Sequence, residues 1–384
     1  MSQPDPNIGR RIKHYQITRK LGEGGIGQVY QAEHLNLGKT VALKILKQEL
    51  SRNSELRVRF LQEAQISAQI AHENVVEILD YGETMHGECF LVMEMLNGKT
   101  LAQALDENQG PMSTKQVAHI GLQICAALYA AHARSAVHRD LKPDNIYLVE
   151  YAGQKDFVKV LDFGLAKLTQ TSQEHALTTV GKVLGTPYFM SPEQTVGDPV
   201  DVRTDIYSLG VVLYQIATHT LPFTGKTIGE VMYKQVHQPP PAPKSRYAKI
   251  DSHLAAVILN CLQKEKEKRY PSMLELAKSL AIASGLEHQF YFSKRATITR
   301  KSNDPNAPQI SPQQQAPEMT SAPSWSIGTP MPDEIKALRS AAGLSSESQI
   351  ATVHIRPKKK QAWLIPVAVL MFISTIALLV LLTR

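Results

Sequence analysis

The chain has 384 residues, 43% of them hydrophobic, with a formal charge of +7 and a pI near 9.1. That apolar content can build a sizeable core, which excludes a wholly disordered polymer, and the length fits one domain of about 250 residues with appendages, or two to three smaller units. The positive charge comes without any basic–aromatic RNA or DNA module, so a nucleic-acid partner is not expected.

Three scattered cysteines (Cys89, Cys125, Cys261) form no CxxC pair and no disulfide framework, which fits a reducing compartment. The first 16 residues lack an apolar h-region, so no secretory signal peptide is expected.

Residues 1–14 are polar and read as a loose tail. From Tyr15 to Leu46 the pattern is strand, glycine turn, strand, turn and strand: YQITRKL, GEGGIG, QVYQAEHL, then TVALKIL. The run from Ser54 to Ile70 places Leu56, Phe60, Ile66 and Ile70 at helical spacing, with Glu63 available beside them. VVEILDYGE and ECFLVMEML add two strands and complete a small, mostly antiparallel lobe.

After Asn97 and Gly98 the character turns helical. A short helix is expected from Leu101 to Asn108 and a long, alanine-rich one from Ser113 to Ser135, able to be buried on most sides. YLVE and FVKVLDF interrupt as a strand pair. Helices from Asp201 to Thr218, Ile228 to Val236, Leu254 to Gln263 and Ser272 to Ser284 follow.

Residues 286–357 are rich in Pro, Ser, Gln, Asn and Thr and read as a disordered linker. Such a linker, some 70 residues long, has a mean reach of about 45 Å. Within it, residues 332–344 have the spacing of a short amphipathic helix, marginal in isolation. Residues 358–384 form a basic flank and an apolar stretch; residues 363–383 carry no charge over 21 positions. As a helix that stretch covers about 30 Å, the thickness of a hydrocarbon core. With Arg356, Lys358, Lys359 and Lys360 before it, a single-pass anchor in the cell's inner membrane is expected, the rest of the chain staying cytoplasmic.

The chemistry concentrates in AVHRDLKPDN, Ala136 to Asn145, where a carboxylate (Asp140), a cation (Lys142) and an amide (Asn145) fall within six residues. Asp162-Phe163-Gly164 follows seventeen residues after Asn145. Together they offer a proton acceptor, a phosphate-facing cation and two oxygen ligands for a hard metal. Phosphoryl transfer, catalysed mainly by positioning and charge neutralisation, needs those parts.

Upstream, glycines in Gly22-Glu23-Gly24-Gly25-Ile26-Gly27 let backbone N–H groups approach phosphates. A dinucleotide fold would require a helix directly after them, and here a β-type run follows. Lys44 lies on an otherwise apolar strand, where an ammonium is costly unless paired. Glu55, Glu63 and Glu73 are all partners by sequence alone.

The ordered co-occurrence of these motifs from about Tyr15 to Leu280 closely resembles Ser/Thr protein kinases. The form GTPYFMSPEQ most resembles the bacterial eukaryotic-type branch, whose members often continue beyond the membrane span into a sensor. Here only Arg384 follows the apolar stretch, so ligand sensing across the membrane is not expected.

The resemblance implies an α+β, bilobal kinase fold over residues 15–285, with a β-rich N-lobe and a helical C-lobe. It implies ATP with Mg²⁺ (or Mn²⁺), covered by Leu21, Gly22, Glu23, Gly24, Gly25, Ile26, Gly27, Gln28 and Val29. Lys44 would hold the nucleotide phosphates, and helix phase together with the resemblance selects Glu63 as its partner.

Met93 would line the back of the adenine pocket. The backbone of Glu94 with Leu96 or Met95 would meet the purine edge, while Ala42, Val29 and Leu148 would sandwich the ring. Asp140 would take the acceptor hydroxyl's proton, Lys142 would steady the transferring phosphate, and Asn145 and Asp162 would bind the metal. Lys142, two residues beyond the aspartate, matches the Ser/Thr-specific form, and His138 is read as structural.

The same resemblance makes Arg139 the cation that a phosphate on the activation segment neutralises, with Thr178 and Thr179 as the phosphorylated residues. Thr186 would bond Asp140 and Lys142, Glu193 would pair with Arg269, and Asp205 would hold the catalytic loop's backbone. Protein substrates, and self-association for autophosphorylation in trans, are the implied partners. Two rival classes are a nucleotide-binding pseudokinase scaffold and a small-molecule kinase. Intact Lys44, Asp140, Asn145 and Asp162 count against the first, and the segment from Gly185 to Glu193 with Asp205 counts against the second.

Overall fold

Tyr15 and Ile17 are buried while Gln16 and Thr18 are exposed, the period-two signature of a strand with one face on a core. The computed structural model describes residues 5–108, 110–163 and 187–286. Gly164, Thr178, Thr179 and Thr186, the linker from residue 287 onward, residues 332–344 and the apolar stretch 363–383 lie outside the described residues. Among the described residues no helix is long and apolar enough to cross a membrane.

The N-lobe contains β1 (Arg11–Ile12), β2 (Tyr15–Glu23), β3 (Gly27–His34), β4 (Lys39–Leu46), α1 (Gln48–Arg52), α2 (Ser54–Ala68), β5 (Ile78–Glu83) and β6 (Cys89–Glu94). Its strands form one antiparallel sheet in the order β1-β2-β3-β4-β6-β5. Ile12, Tyr30, Leu43 and Phe90 pack on one face. Leu46, Leu91 and Met93 pack on the other, against Phe60 and Ala64 of α2. That helix starts where the Asn53 side chain accepts from the N–H groups of Glu55 and Leu56.

Residues 5–14 are built into this lobe and are not a loose tail. Ile12 is buried, and β1 pairs with β2. The Asn7 amide donates to the Tyr30 hydroxyl at 2.9 Å, and Arg10 is ion-paired with Glu88. The polar composition of the segment reflects this hydrogen bonding to the sheet; Ile12 is the apolar residue that anchors it.

The helical lobe follows with β7 (Gly98–Thr100), α3 (Leu101–Glu107), α4 (Thr114–His132), β8 (Ile146–Tyr151), β9 (Gln154–Val160), α5 (Pro192–Val196), α6 (Val202–Thr218), α7 (Ile228–His237), α8 (Pro243–Arg246), α9 (Ser252–Cys261) and α10 (Met273–Ser284). The alanine-rich α4 is the centre of its core, with Ala118, Ala126, Ala127 and Ala131 all buried. Gly121 permits that closeness, because a Cβ there would lie 2.7 Å from a Leu280 methyl and 2.9 Å from one of Leu213.

The lobes meet through backbone as well as side chains. The Val76 N–H donates to the Val160 carbonyl at 3.0 Å, and the buried Asn74 amide donates to the Val158 carbonyl at 2.8 Å. The end of β9, which delivers Asp162, is thereby fixed to both lobes.

Candidate active site

A cleft of about 1020 Å³ opens between the β2–β3 hairpin above and the Leu141–Asn145 segment below. Its roof turns tightly, the Gly24 N–H donating to the Gly27 carbonyl at 2.8 Å. At Gly27 any side chain is excluded, since a Cβ would fall 2.4 Å from the Ile45 carbonyl oxygen of β4. Leu21 through Gly27, Val29, Ala42 and Lys44 line the upper wall, and Met93, Glu94, Met95 and Leu96 line the back. Arg139, Asp140, Lys142, Asn145 and Asp162 complete the lower wall.

Three residues expected at the nucleotide stand elsewhere. The Gln28 side chain turns away from the cleft, its oxygen accepting from the Tyr30 hydroxyl at 2.7 Å and its nitrogen donating to Glu23. Leu148 is buried in the helical core, and Tyr147 lines the cleft in its place. Neighbours on a strand face opposite ways, so a count off by one residue along β8 exchanges core for cleft.

Glu63 is the third. Lys44 Nζ is bonded to both Asp162 oxygens, at 2.8 and 2.7 Å, and Glu63 is not its partner. Glu63 is nevertheless buried on α2, and its charge acts on Arg139. Sequence spacing placed Glu63 within reach of Lys44 but could not show that Asp162 sits closer.

The electrostatics follow from that pairing. Burial opposes ionisation of Asp162 most strongly, but the Lys44 ammonium, with His138 and Lys142 nearby, outweighs it. The carboxyl is held below the usual aspartate value of 3.8. Asp140 accepts from Lys142 Nζ at 2.7 Å and from the Asn145 amide at 3.1 Å, and the same amide donates to the Asp140 carbonyl at 2.8 Å. Carboxylate, cation and amide therefore form one bonded cluster.

The segment carrying Asp140 is held in an unusual backbone shape. Arg139 has φ 68° and Asp162 φ 57°, left-handed conformations that non-glycine residues adopt at a cost. Asp205, fully buried near the start of α6, accepts from the N–H of His138 at 2.9 Å and of Arg139 at 2.9 Å. This is the expected role of Asp205. His132 Nε2 lies 2.7 Å from the same carboxylate, a contact that no sequence signal marked.

His138 is structural, as expected. Its Nδ1 faces the Asp140 N–H at 3.3 Å and Nε2 faces the Leu161 carbonyl at 2.7 Å, so those partners place the proton on Nε2. The ring also packs on Phe163, with centroids 4.9 Å apart.

Glu193 and Arg269 form the expected buried pair through two bonds of 2.7 and 2.8 Å. Ser191 caps α5: it accepts from the Gln194 N–H while Gln194 Oε1 accepts from the Ser191 N–H. Gln194 also lines the cleft. Its part was missed, although Ser-x-x-Gln is a capping-box signal.

Residues 15–288, more than half of the chain, match the protein kinase domain family. The chain belongs to the protein kinase family. The kinase is 42% identical over 279 residues to the serine/threonine-protein kinase Pkn1 of Myxococcus xanthus, the match covering 73% of this chain and 39% of that protein. It is 37% identical over 269 residues to PknB of Mycobacterium tuberculosis, covering 69% and 42% respectively.

Among solved structures, the kinase domain of Mycobacterium tuberculosis PknI superimposes with a TM-score of 0.57 at 23% identity, covering 72% of this chain and 98% of that one. That likeness concerns the fold. The kinase matches about two fifths of the length of Pkn1 and of PknB.

Proposed function

We propose that this kinase transfers the γ-phosphate of ATP to Ser or Thr hydroxyls of proteins, its own activation segment included. The supporting observation is that Lys44, Asp140, Lys142, Asn145 and Asp162 all line one cleft beneath a glycine hairpin. Each is of the residue type the chemistry requires.

The donor set suits a hard cation. Asn145 uses its amide nitrogen on Asp140, which leaves its carbonyl oxygen as the ligand atom, and Asp162 brings a carboxylate held ionised by Lys44. Two oxygen donors with no thiolate or imidazole fit Mg²⁺, or Mn²⁺, carried in with the nucleotide. When bound, such a metal neutralises phosphate charge. Asp140 orients the acceptor hydroxyl and accepts its proton, Lys142 steadies the oxygens of the transferring group, and Lys44 holds the inner phosphates. Tyr147 and Ala42 supply opposite walls for the purine.

Regulation rests on Arg139. Its Nε is buried and has no hydrogen-bond partner among the described residues. Burial pulls the guanidinium below its usual value, against the pull of Glu63 and Asp205. A phosphate on Thr178 or Thr179 is a suitable acceptor for that group, and Thr186 is assigned to bonding Asp140 and Lys142. Residues 363–383 anchor the protein in the inner membrane with the kinase lobes cytoplasmic, and anchoring raises the local concentration for autophosphorylation in trans.

The deciding experiment incubates the full chain with radiolabelled ATP, Mg²⁺ and a generic acceptor protein, then maps phosphoresidues by mass spectrometry. Label on Ser or Thr is expected; nucleotide binding without transfer would leave only a scaffold. Carbonate washing of membranes should leave the full chain in the pellet, and release without detergent would rule out the anchor.

The corrected cleft floor gives a paired test. Tyr147→Ala should weaken binding of a non-hydrolysable ATP analogue about fivefold with little change in Tm. Leu148→Ala should lower stability by about 3 kcal/mol and leave analogue affinity intact. Calorimetric titration and thermal melts would show the reverse pattern if Leu148 were the floor.

A further inference from the structure

Arg139 is pinned from both sides. Its N–H is held by Asp205, and its carbonyl oxygen accepts from Gln194 Nε2 at 2.8 Å. That carbonyl belongs to the peptide joining Arg139 to Asp140, so its direction sets where the Asp140 side chain emerges. With φ at 68°, Arg139 would relax toward ordinary backbone if either hold were lost.

The Gln194 amide can point only one way. Its Oε1 faces the Ser191 N–H at 3.1 Å, a group that can only donate, and its Nε2 faces the Arg139 carbonyl, which can only accept. Ser191 is fully buried and closes the capping box, its hydroxyl accepting from the Gln194 N–H at 3.3 Å.

The platform beneath is rigid as well. Glu193, on the same turn of α5, is fixed by Arg269 and by the Thr204 hydroxyl at 2.7 Å. Gln194 is thus a short strut, one end on an anchored helix and the other on the backbone of the catalytic loop.

We propose that Gln194 is a positioning residue for phosphoryl transfer, its side-chain amide holding the Arg139–Asp140 peptide so that the Asp140 carboxylate faces the acceptor hydroxyl. The proposal rests on the reading of Asp140 as proton acceptor. It also assigns a chemical reason to the residue type. A glutamate caps the helix equally well but offers the Arg139 carbonyl only another acceptor, and a leucine or isoleucine offers nothing.

The test compares Gln194→Glu and Gln194→Ala with wild type in the full-length protein, using a generic protein acceptor and ATP with Mg²⁺. Gln194→Glu keeps the cap and loses the donor. Its kcat should fall about tenfold while the KM for ATP and the Tm stay at wild-type values. Gln194→Ala should lose kcat to a similar extent and show a lower Tm, because the cap goes too.

A wild-type kcat in either variant overturns the proposal, as does a loss confined to the KM for ATP. Should Gln194→Glu fail to fold, the alanine variant decides. Asp140→Asn run in parallel separates the two readings. If that variant is inactive while both Gln194 variants are fully active, the strut is wrong and the proton acceptor stands. If Asp140→Asn is fully active, the premise itself has failed.

Discussion

Asp140→Asn should lower kcat by roughly 10²- to 10⁴-fold, the range for removing a positioned general base, with ATP affinity within about twofold of wild type. The separation of the two effects follows from the geometry. Asp140 is bonded to Lys142 and Asn145 at the foot of the cleft, whereas the glycine hairpin, Lys44 and Met93 to Leu96 line its roof and back wall. Asparagine has nearly the same shape and can still accept from Lys142 Nζ through its carbonyl oxygen. What it lacks is the charge and the ability to take a proton.

The fold should therefore survive. Asp140 is about one-third exposed, and its own carbonyl, which Asn145 also holds, is unchanged by the substitution. Steady-state transfer to a protein acceptor, alongside titration with a non-hydrolysable ATP analogue, checks both halves. A kcat within about threefold of wild type would remove Asp140 from the mechanism, because no positioned base is dispensable to that degree.

Much of this site can be read from the chain itself, and the parts that cannot fail for identifiable reasons. Motifs compact in sequence, such as the six residues from Asp140 to Asn145, appear as one bonded cluster because a tight turn leaves them little freedom to separate. Two long-range partnerships came through the resemblance to protein kinases, not through spacing. Glu193 with Arg269, and Asp205 with the catalytic-loop backbone, satisfy buried charges that would be costly unpaired.

Choices between equally reasonable partners were not legible. Lys44 has several carboxylates within reach of a sequence argument, and only the fold of β9 and the following turn brings Asp162 to 2.7 Å. Strand phase is a second blind spot, since Tyr147 and Leu148 differ by one position, yet the first lines the cleft and the second packs in the helical core. A third is polar sequence that folds because it hydrogen-bonds: Asn7 and Arg10 look like tail residues until Tyr30 and Glu88 are placed beside them.

The other large effect concerns stability. Glu193→Ala should destabilise the kinase lobes by about 3–5 kcal/mol, a large share of the 5–15 kcal/mol typical of a folded domain. All five Arg269 donors are engaged: two on Glu193, and one each on the carbonyls of Arg203, Gln263 and Lys264. The guanidinium also lies 4.9 Å from the centre of the Tyr207 ring, and its side chain is 0% exposed. Removing the carboxylate leaves a buried cation without a counter-charge, so the loss should exceed that of an ordinary hydrogen bond. Arg269→Lys should be nearly as damaging, because a single ammonium cannot reproduce the planar two-point contact. A double replacement by apolar side chains should be milder than either single one, which denaturant titration of the full cycle would reveal.

The pH dependence carries a definite sign. Burial raises the Glu193 carboxyl, but the Arg269 hydrogen bonds and charge, with Thr204, lower it further, and the net position is below the usual 4.5. A carboxyl depressed in the folded state contributes its full stability above pH 4.5 and loses it as pH falls through the folded value. The stability gap between wild type and Glu193→Gln should therefore be constant from neutral pH down to about 5 and narrow below 4.5. A gap that stayed constant to pH 3 would mean the wild-type carboxylate is not held by Arg269 in the folded protein.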